Sequence, residues 1–251
     1  MTERKAQIFF EVHKELPREG PGSRSSTQKA LSYVVDLPPN PRILDVGCGP
    51  GAQTLCLAES CRGRIVAVDN HEPFLAQLAR KVEELKLSEK ITPLKADMNQ
   101  LPFEDQSFDL IWAEGSIFVI GMETGLAKWR PLLRSLGYLA FTEVSWIRRD
   151  IPDELGRFWQ EVYPAISTIA QNEERIEQQG YELLGDFILP ESDWWQEYYR
   201  PIEAKLPHLR EKHKGDAEAL EMLALEEKEI ELYRRYASYY GYVFYIARRV
   251  N

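Results

Sequence analysis

One stretch constrains this chain more than any other: Ile43-Leu44-Asp45-Val46-Gly47-Cys48-Gly49-Pro50-Gly51-Ala52. A run of β-formers enters a glycine loop, and the loop opens into a helix-forming segment, 52–60. Such a turn lets backbone approach a ligand closely and aims free helix N–H groups at a carboxylate or phosphate. The pattern then repeats without the glycines. Strands are expected at 42–46, 64–69, 91–95, 108–113 and 137–144, with helices at 52–60, 72–85 and 124–133 between them. The strand runs are apolar almost throughout, as in a parallel sheet covered on both faces. In 72–85, Phe74, Leu75, Leu78, Val82 and Leu85 recur at helical spacing and form one stripe toward that sheet. Strand–helix alternation of this kind implies an α/β, Rossmann-like doubly wound fold with right-handed crossovers.

The rhythm changes after residue 144. Two more strands are expected at 181–189 and 242–248, divided by a helical insertion at 190–240 whose second half, 216–240, reads as one long helix. A second helical insertion is expected at 145–180. Ahead of the first strand, 1–36 reads as a helical cap of two helices, 5–16 and 25–35, joined by the turn-rich PREGPGSRSS. The whole chain, 1–251, is read as one unit around the 42–144 core.

Gly47-x-Gly49-x-x-Ala52 also fits a dinucleotide-binding loop, which leaves an NAD(P)-dependent oxidoreductase open on that pattern alone. Three acids favour another ligand. Asp45 stands where a diphosphate would be repelled but an ammonium anchored. Asp69 closes the second strand, where a carboxylate accepts both hydroxyls of a ribose. Asp97 and Met98 follow the third strand, an acid for an exocyclic amine beside a thioether for a flat ring. Ammonium, ribose diol and adenine together describe S-adenosylmethionine.

With these residues in view, the chain resembles the class I S-adenosylmethionine-dependent methyltransferases. DVGCGPG looks like their first motif, VAVD their second, KADMNQLPF the segment after the third strand and FDLIWAEG the fourth motif. WRPLLRSLGYLAFTEV resembles the helix, glycine turn and fifth strand that follow. More narrowly, GPGS, IWAEGSIFVIG, EVSWI and FWQEVYP look like a bacterial type-11 subgroup acting on small molecules. The resemblance implies a seven-stranded sheet, six strands parallel and the seventh antiparallel, with helical lid insertions. It implies S-adenosylmethionine as donor and S-adenosylhomocysteine as product. The donor residues it implies are Asp45, Gly47, Cys48, Gly49, Gly51, Asp69, Asn70, Asp97, Met98 and Glu114. Asn70 and His71 depart from the apolar group usual beside adenine.

The acceptor side is expected over strands four and five. Its pocket is assigned to Trp112, Ser116, Phe118, Trp146, Trp159, Tyr163, Trp195 and Tyr199. Glu114 and His13 are the candidate catalytic groups, although in-line displacement from a sulfonium works largely by positioning. An aromatic pocket suits a flat aromatic acceptor or a cationic amine equally. A non-catalytic S-adenosylmethionine binder stays open as well.

Charge and cysteines narrow the class. Thirty-one Lys and Arg against 40 Asp and Glu leave −9, which disfavours nucleic-acid partners. Three cysteines and four histidines without metal-ligand spacing point to no metal and no disulfide framework. A charged start and no long apolar run point to a cytoplasmic protein without a membrane partner, a monomer or homodimer acting on a small molecule.

Overall fold

The computed structural model describes residues 2–250. Eight strands form one sheet in the order β3-β2-β1-β4-β5-β8-β7. They are β1 (Arg42–Val46), β2 (Arg64–Asp69), β3 (Ile91–Lys95), β4 (Phe108–Ala113), β5 (Leu133–Trp146), β6 (Ser167–Thr168), β7 (Tyr181–Ile188) and β8 (Tyr240–Arg249). The two-residue β6 lies off the main path and pairs with β5. All pairs among β1 to β5 are parallel, and β8 runs antiparallel between β5 and β7. The expected sheet of six parallel strands and one antiparallel strand is therefore present, with β6 as an addition that two residues could not announce.

Side chains of each strand alternate between two cores. Ile43, Leu110, Ala140 and Phe244 face one layer; Leu44, Ile111, Phe141 and Tyr245 face the other. The first layer receives α3 (Ala52–Ser60), α4 (Glu72–Glu84) and α6 (Asp153–Val162). It also receives the N-terminal helices α1 (Glu3–His13) and α2 (Arg24–Leu31). The second layer receives α5 (Met122–Trp129) and α7 (Ile169–Gln178). In α4 the buried stripe is Phe74, Leu75, Leu78 and Val82, as the periodicity requires, but Leu85, expected to extend it, follows the last helical residue and is exposed.

The late insertion is α8 (Glu191–Trp194), a π-helical turn at Trp195–Tyr199, α9 (Arg200–Lys212) and α10 (Ala217–Tyr236). Asp216 caps α10 by accepting from the Ala219 N–H, so the long helix starts one residue later than the composition suggests. Other boundaries differ: α2 ends at Leu31, short of the expected 35, and β8 starts two residues earlier, at Tyr240. Helix α1 stops at His13, and Glu15 turns the chain with φ +64°. Helix α5 ends at Trp129 and passes into a 3₁₀ turn, Arg130–Leu132, because Pro131 has no N–H to extend it. The expected glycine turn at 134–137 is instead a bulge inside β5: Phe108 pairs with Leu133 and Leu110 with Tyr138, and Leu136 takes φ +61°.

Strand β1 is the centre. It pairs with β2 on one side and β4 on the other, so the strand order reverses there. A crevice opens beyond the carboxyl ends of the strands at such a reversal. The fully buried Phe244 of β8 supports this region from below, 5.3 Å from Trp112 and 5.5 Å from Phe187 between ring centroids. Phe244→Ala is expected to cost about 3–5 kcal/mol, read as a fall in the urea midpoint.

Candidate functional site

The crevice holds a cavity of about 390 Å³ built from the ends of four strands. Gly47, Cys48 and Gly49 follow β1, Asp69 ends β2, Ala96 and Met98 follow β3, and Glu114, Gly115 and Ser116 follow β4. The glycine loop has left-handed backbone at Gly47 (φ +72°) and Gly49 (φ +50°). A Cβ on Gly47 would come within 2.3 Å of the Ser116 Cβ, so only glycine fits there. Asp69 holds the loop through both oxygens: Gly49 N–H donates to one at 2.9 Å and His71 N–H to the other at 2.8 Å. Asn70 lines the same wall, and His71 stacks on Phe10 of α1 at 3.8 Å, the rings 7° apart.

Three expected donor residues stand off this wall. Asp45 is fully buried behind it, where the Thr54 hydroxyl donates to its carboxylate at 2.5 Å and Gln53 at 3.4 Å. Burial pushes the Asp45 carboxyl up to about 7. It reaches the cavity only through Gln53, which does line it. Gly51 shapes the turn into α3, with φ +90° against Leu78. Asp97 is exposed, its carboxylate occupied by the Asn99 N–H at 2.8 Å in a local turn.

Glu114 belongs to this first cavity and not to the acceptor side. Its carboxylate accepts from Arg18 Nη1 at 2.8 Å, the Thr27 hydroxyl at 2.6 Å and the Trp112 indole at 2.8 Å. Three donors thus hold the carboxylate in a fixed place. Arg18 is itself only 5% exposed and lines the cavity together with Glu19, Gly20 and Pro21. Gly20 and Pro21 belong to the GPGS motif already singled out, whereas Arg18 and Glu19 are lining residues that no motif marked. Their signal was the charged Arg18-Glu19 pair immediately before the Gly20-Pro21-Gly22 turn. That turn is tied to α8, where Gly22 N–H donates to the Asp193 carbonyl and the Ser26 hydroxyl to the Asp193 carboxylate at 2.5 Å.

A second cavity of about 470 Å³ adjoins the first, and Phe9, Glu19 and Pro21 line both. Phe118, Trp159 and Tyr163 line it, as expected of an acceptor pocket. Other assignments move. Trp112 is wholly buried against Phe244, and Ser116 faces the first cavity while donating to the Val46 carbonyl at 2.6 Å. Trp146 packs edge-on to Tyr240 away from the cavity wall. In the pairs Trp194-Trp195 and Tyr198-Tyr199 the cavity takes the first member of each. Neighbours in a helical turn point about 100° apart, so Trp195 meets Arg234, while Tyr199 is buried and donates to Glu229 at 2.9 Å.

His13 is not at either cavity wall. Fully buried, it lies between Glu19 (Nδ1 to Oε2, 3.3 Å) and Glu226 (Nε2 to Oε1, 3.6 Å) and stacks on Phe9. Burial disfavours its charge, but the two carboxylates outweigh burial and raise the imidazole to about 9. Its two ring nitrogens are thus turned toward carboxylates rather than toward either cavity. Among the described residues no cluster of three or more His, Cys, Asp or Glu is arranged to hold a metal, and no helix is long and apolar enough to cross a membrane.

Residues 43–137 match a family model described as a methyltransferase domain. Demethylmenaquinone methyltransferase of Bacillus cereus is 35% identical over 34% of this chain and 36% of its own length. A sterol 24-C-methyltransferase of Clavispora lusitaniae is 28% identical over 49% of this chain and 33% of its own. The chain thus spans about a third of the length of each. An S-adenosylmethionine-dependent methyltransferase from Geobacter sulfurreducens, solved with S-adenosylhomocysteine, superposes with a TM-score of 0.78 at 18% identity, covering 98% of both chains.

His13 raised above its unfolded value contributes stability that is complete below about pH 6.5 and is lost as pH rises through about 9. Urea unfolding should find His13→Gln less stable than the parent at pH 6, with the gap narrowing by about 3 kcal/mol toward pH 9.

Proposed function

We propose that the protein moves a methyl group from S-adenosylmethionine to a small-molecule acceptor, a reading that starts from the match of residues 43–137 to a methyltransferase-domain model and from the shared fold. The observation that carries this reading is the charge of the first cavity. Glu19, Asp69 and Glu114 line it, and its one arginine, Arg18, is already paired with Glu114. A dinucleotide would bring a diphosphate against these carboxylates. A sulfonium that also carries an ammonium brings the opposite charge, so the residues fit S-adenosylmethionine and disfavour a nicotinamide cofactor.

In this reading Asp69 accepts from the ribose hydroxyls, and Ala96, Met98 and His71 flank the adenine. The Gly47–Gly49 backbone and Arg18 hold the amino-acid end. S-adenosylmethionine, when bound, supplies an electrophilic methyl group and leaves as S-adenosylhomocysteine. The chain supplies orientation and exclusion of water. The α1 side chains Phe9 and Phe10 and the Glu19–Pro21 segment cover the crevice, and Glu114 keeps that cover in place through Arg18. The second cavity, sharing Phe9, Glu19 and Pro21 with the first, gives an acceptor a chamber beside the donor. That chamber favours an enzyme over a mere binder. Near-attack positioning of two bound partners accounts for much of such a rate.

S-adenosylhomocysteine at about 100 times its Kd should stabilise the protein by about 2.7 kcal/mol, and NAD(H) should not. A thermal shift with NAD(H) alone would overturn the donor assignment. Asp69→Ala should weaken S-adenosylhomocysteine binding by about 1.5–3 kcal/mol in calorimetry; unchanged affinity would remove Asp69 from the donor site.

A further inference from the structure

The second cavity has a chemical character that its neighbour does not. Its wall is largely aromatic: Phe9, Trp159, Tyr163, Trp194, Tyr198 and Tyr242. Into the same space come three carboxylates, Glu19 from the segment after α1 and Glu226 and Glu229 from α10. Glu226 is 5% exposed and meets His13 at 3.6 Å. Both Glu19 oxygens are buried without a hydrogen-bond partner; one lies 3.3 Å from His13, and Lys205 and Lys81 act on the carboxylate only from farther off. Glu229 takes one phenol hydroxyl, from Tyr199. Lys5, also on the lining, is committed to Glu221 at 2.7 Å.

One imidazolium thus stands against three carboxylates in a place that water screens poorly. We infer that the acceptor, given the methyl-transfer reading on which this rests, is an apolar organic amine that enters the second cavity as a cation. Its ammonium would cancel the uncompensated charge of Glu226 and Glu229, and its carbon skeleton would lie against the ring faces. Cation–π attraction adds to both, and more strongly when the cation is desolvated. A neutral aromatic would fill the space and leave the charge unanswered. A carboxylate or phosphate would add to the repulsion.

An amine also fits the reaction. A primary ammonium must give up one proton before its lone pair is free, and a carboxylate in the wall can take it. Burial, with Glu226 beside it, pushes the Glu229 carboxyl up to about 7, in range for such an exchange. The amine lone pair then forms the N–C bond as the C–S bond breaks. The bonding pair stays on sulfur, and the products are the methylated ammonium and a neutral thioether.

The test uses protein saturated with S-adenosylhomocysteine and titrated calorimetrically with three probes of similar shape: phenethylamine, hydrocinnamyl alcohol and hydrocinnamate. Phenethylamine should bind about tenfold more tightly than the alcohol, and hydrocinnamate most weakly. Glu226→Gln and Glu229→Gln should each shrink the amine-to-alcohol ratio while leaving S-adenosylhomocysteine affinity unchanged. Equal binding of amine and alcohol by the parent protein, or an unchanged ratio in both variants, would overturn the amine assignment and leave the donor reading intact. Failure to bind S-adenosylhomocysteine at all would instead bring down the donor reading, and the acceptor inference with it.

Discussion

The buried pair between Arg18 and Glu114 holds the two halves of the site together. Glu114 ends β4, the strand on the far side of the order reversal, and Arg18 comes from the segment between α1 and α2. The side chains are 5% and 4% exposed, so both charges have left water. Such a pair gains little net stability over apolar packing, but removing one partner strands the other at a cost of several kcal/mol. What it contributes is a fixed place for the segment. With Thr27 and Trp112 also donating to Glu114, the N-terminal helices can dock on the sheet only where Glu19, Gly20 and Pro21 stand over the glycine loop.

A second buried charge continues the arrangement outward. His13 links Glu19, at the boundary of the two cavities, to Glu226 on α10. Helix α1 thereby packs against α10 through a charged contact as well as through Ile8 and Val12. The late insertion and the N-terminal cap, far apart along the chain, form one wall. The acidic character of that wall follows from there being three carboxylates and one imidazole within it. The first cavity is acidic as well, with Glu19, Asp69 and Glu114 beside Arg18.

The core was legible because its signals are local. Apolar runs at 42–46, 64–69, 91–95 and 108–113 gave those four strands with the observed bounds, since a strand covered on both faces admits few polar residues. The glycine loop was legible for the same kind of reason: φ near +70° at Gly47 excludes side chains, and that exclusion is written into residue type. Asp69 could be placed because it ends a strand beside that loop. Helix boundaries were less secure where a proline or a left-handed residue intervened, as at Pro131 and Glu15.

The composition and order of residues determined a parallel α/β sheet, a crevice at the end of β1, and an aromatic-rich flank to cover it. These are properties of neighbours along the chain. Which member of Trp194-Trp195 or Tyr198-Tyr199 faces a cavity was decided by the rotation of a π-helical turn against α10. The roles of Glu114 and His13 were decided by partners 96 residues away in one case and on α10 in the other. A carboxylate beside a strand end has the same local sequence whether it is free or held by three donors. Only the packing of distant elements supplies those donors, and burial then sets the charge each group carries.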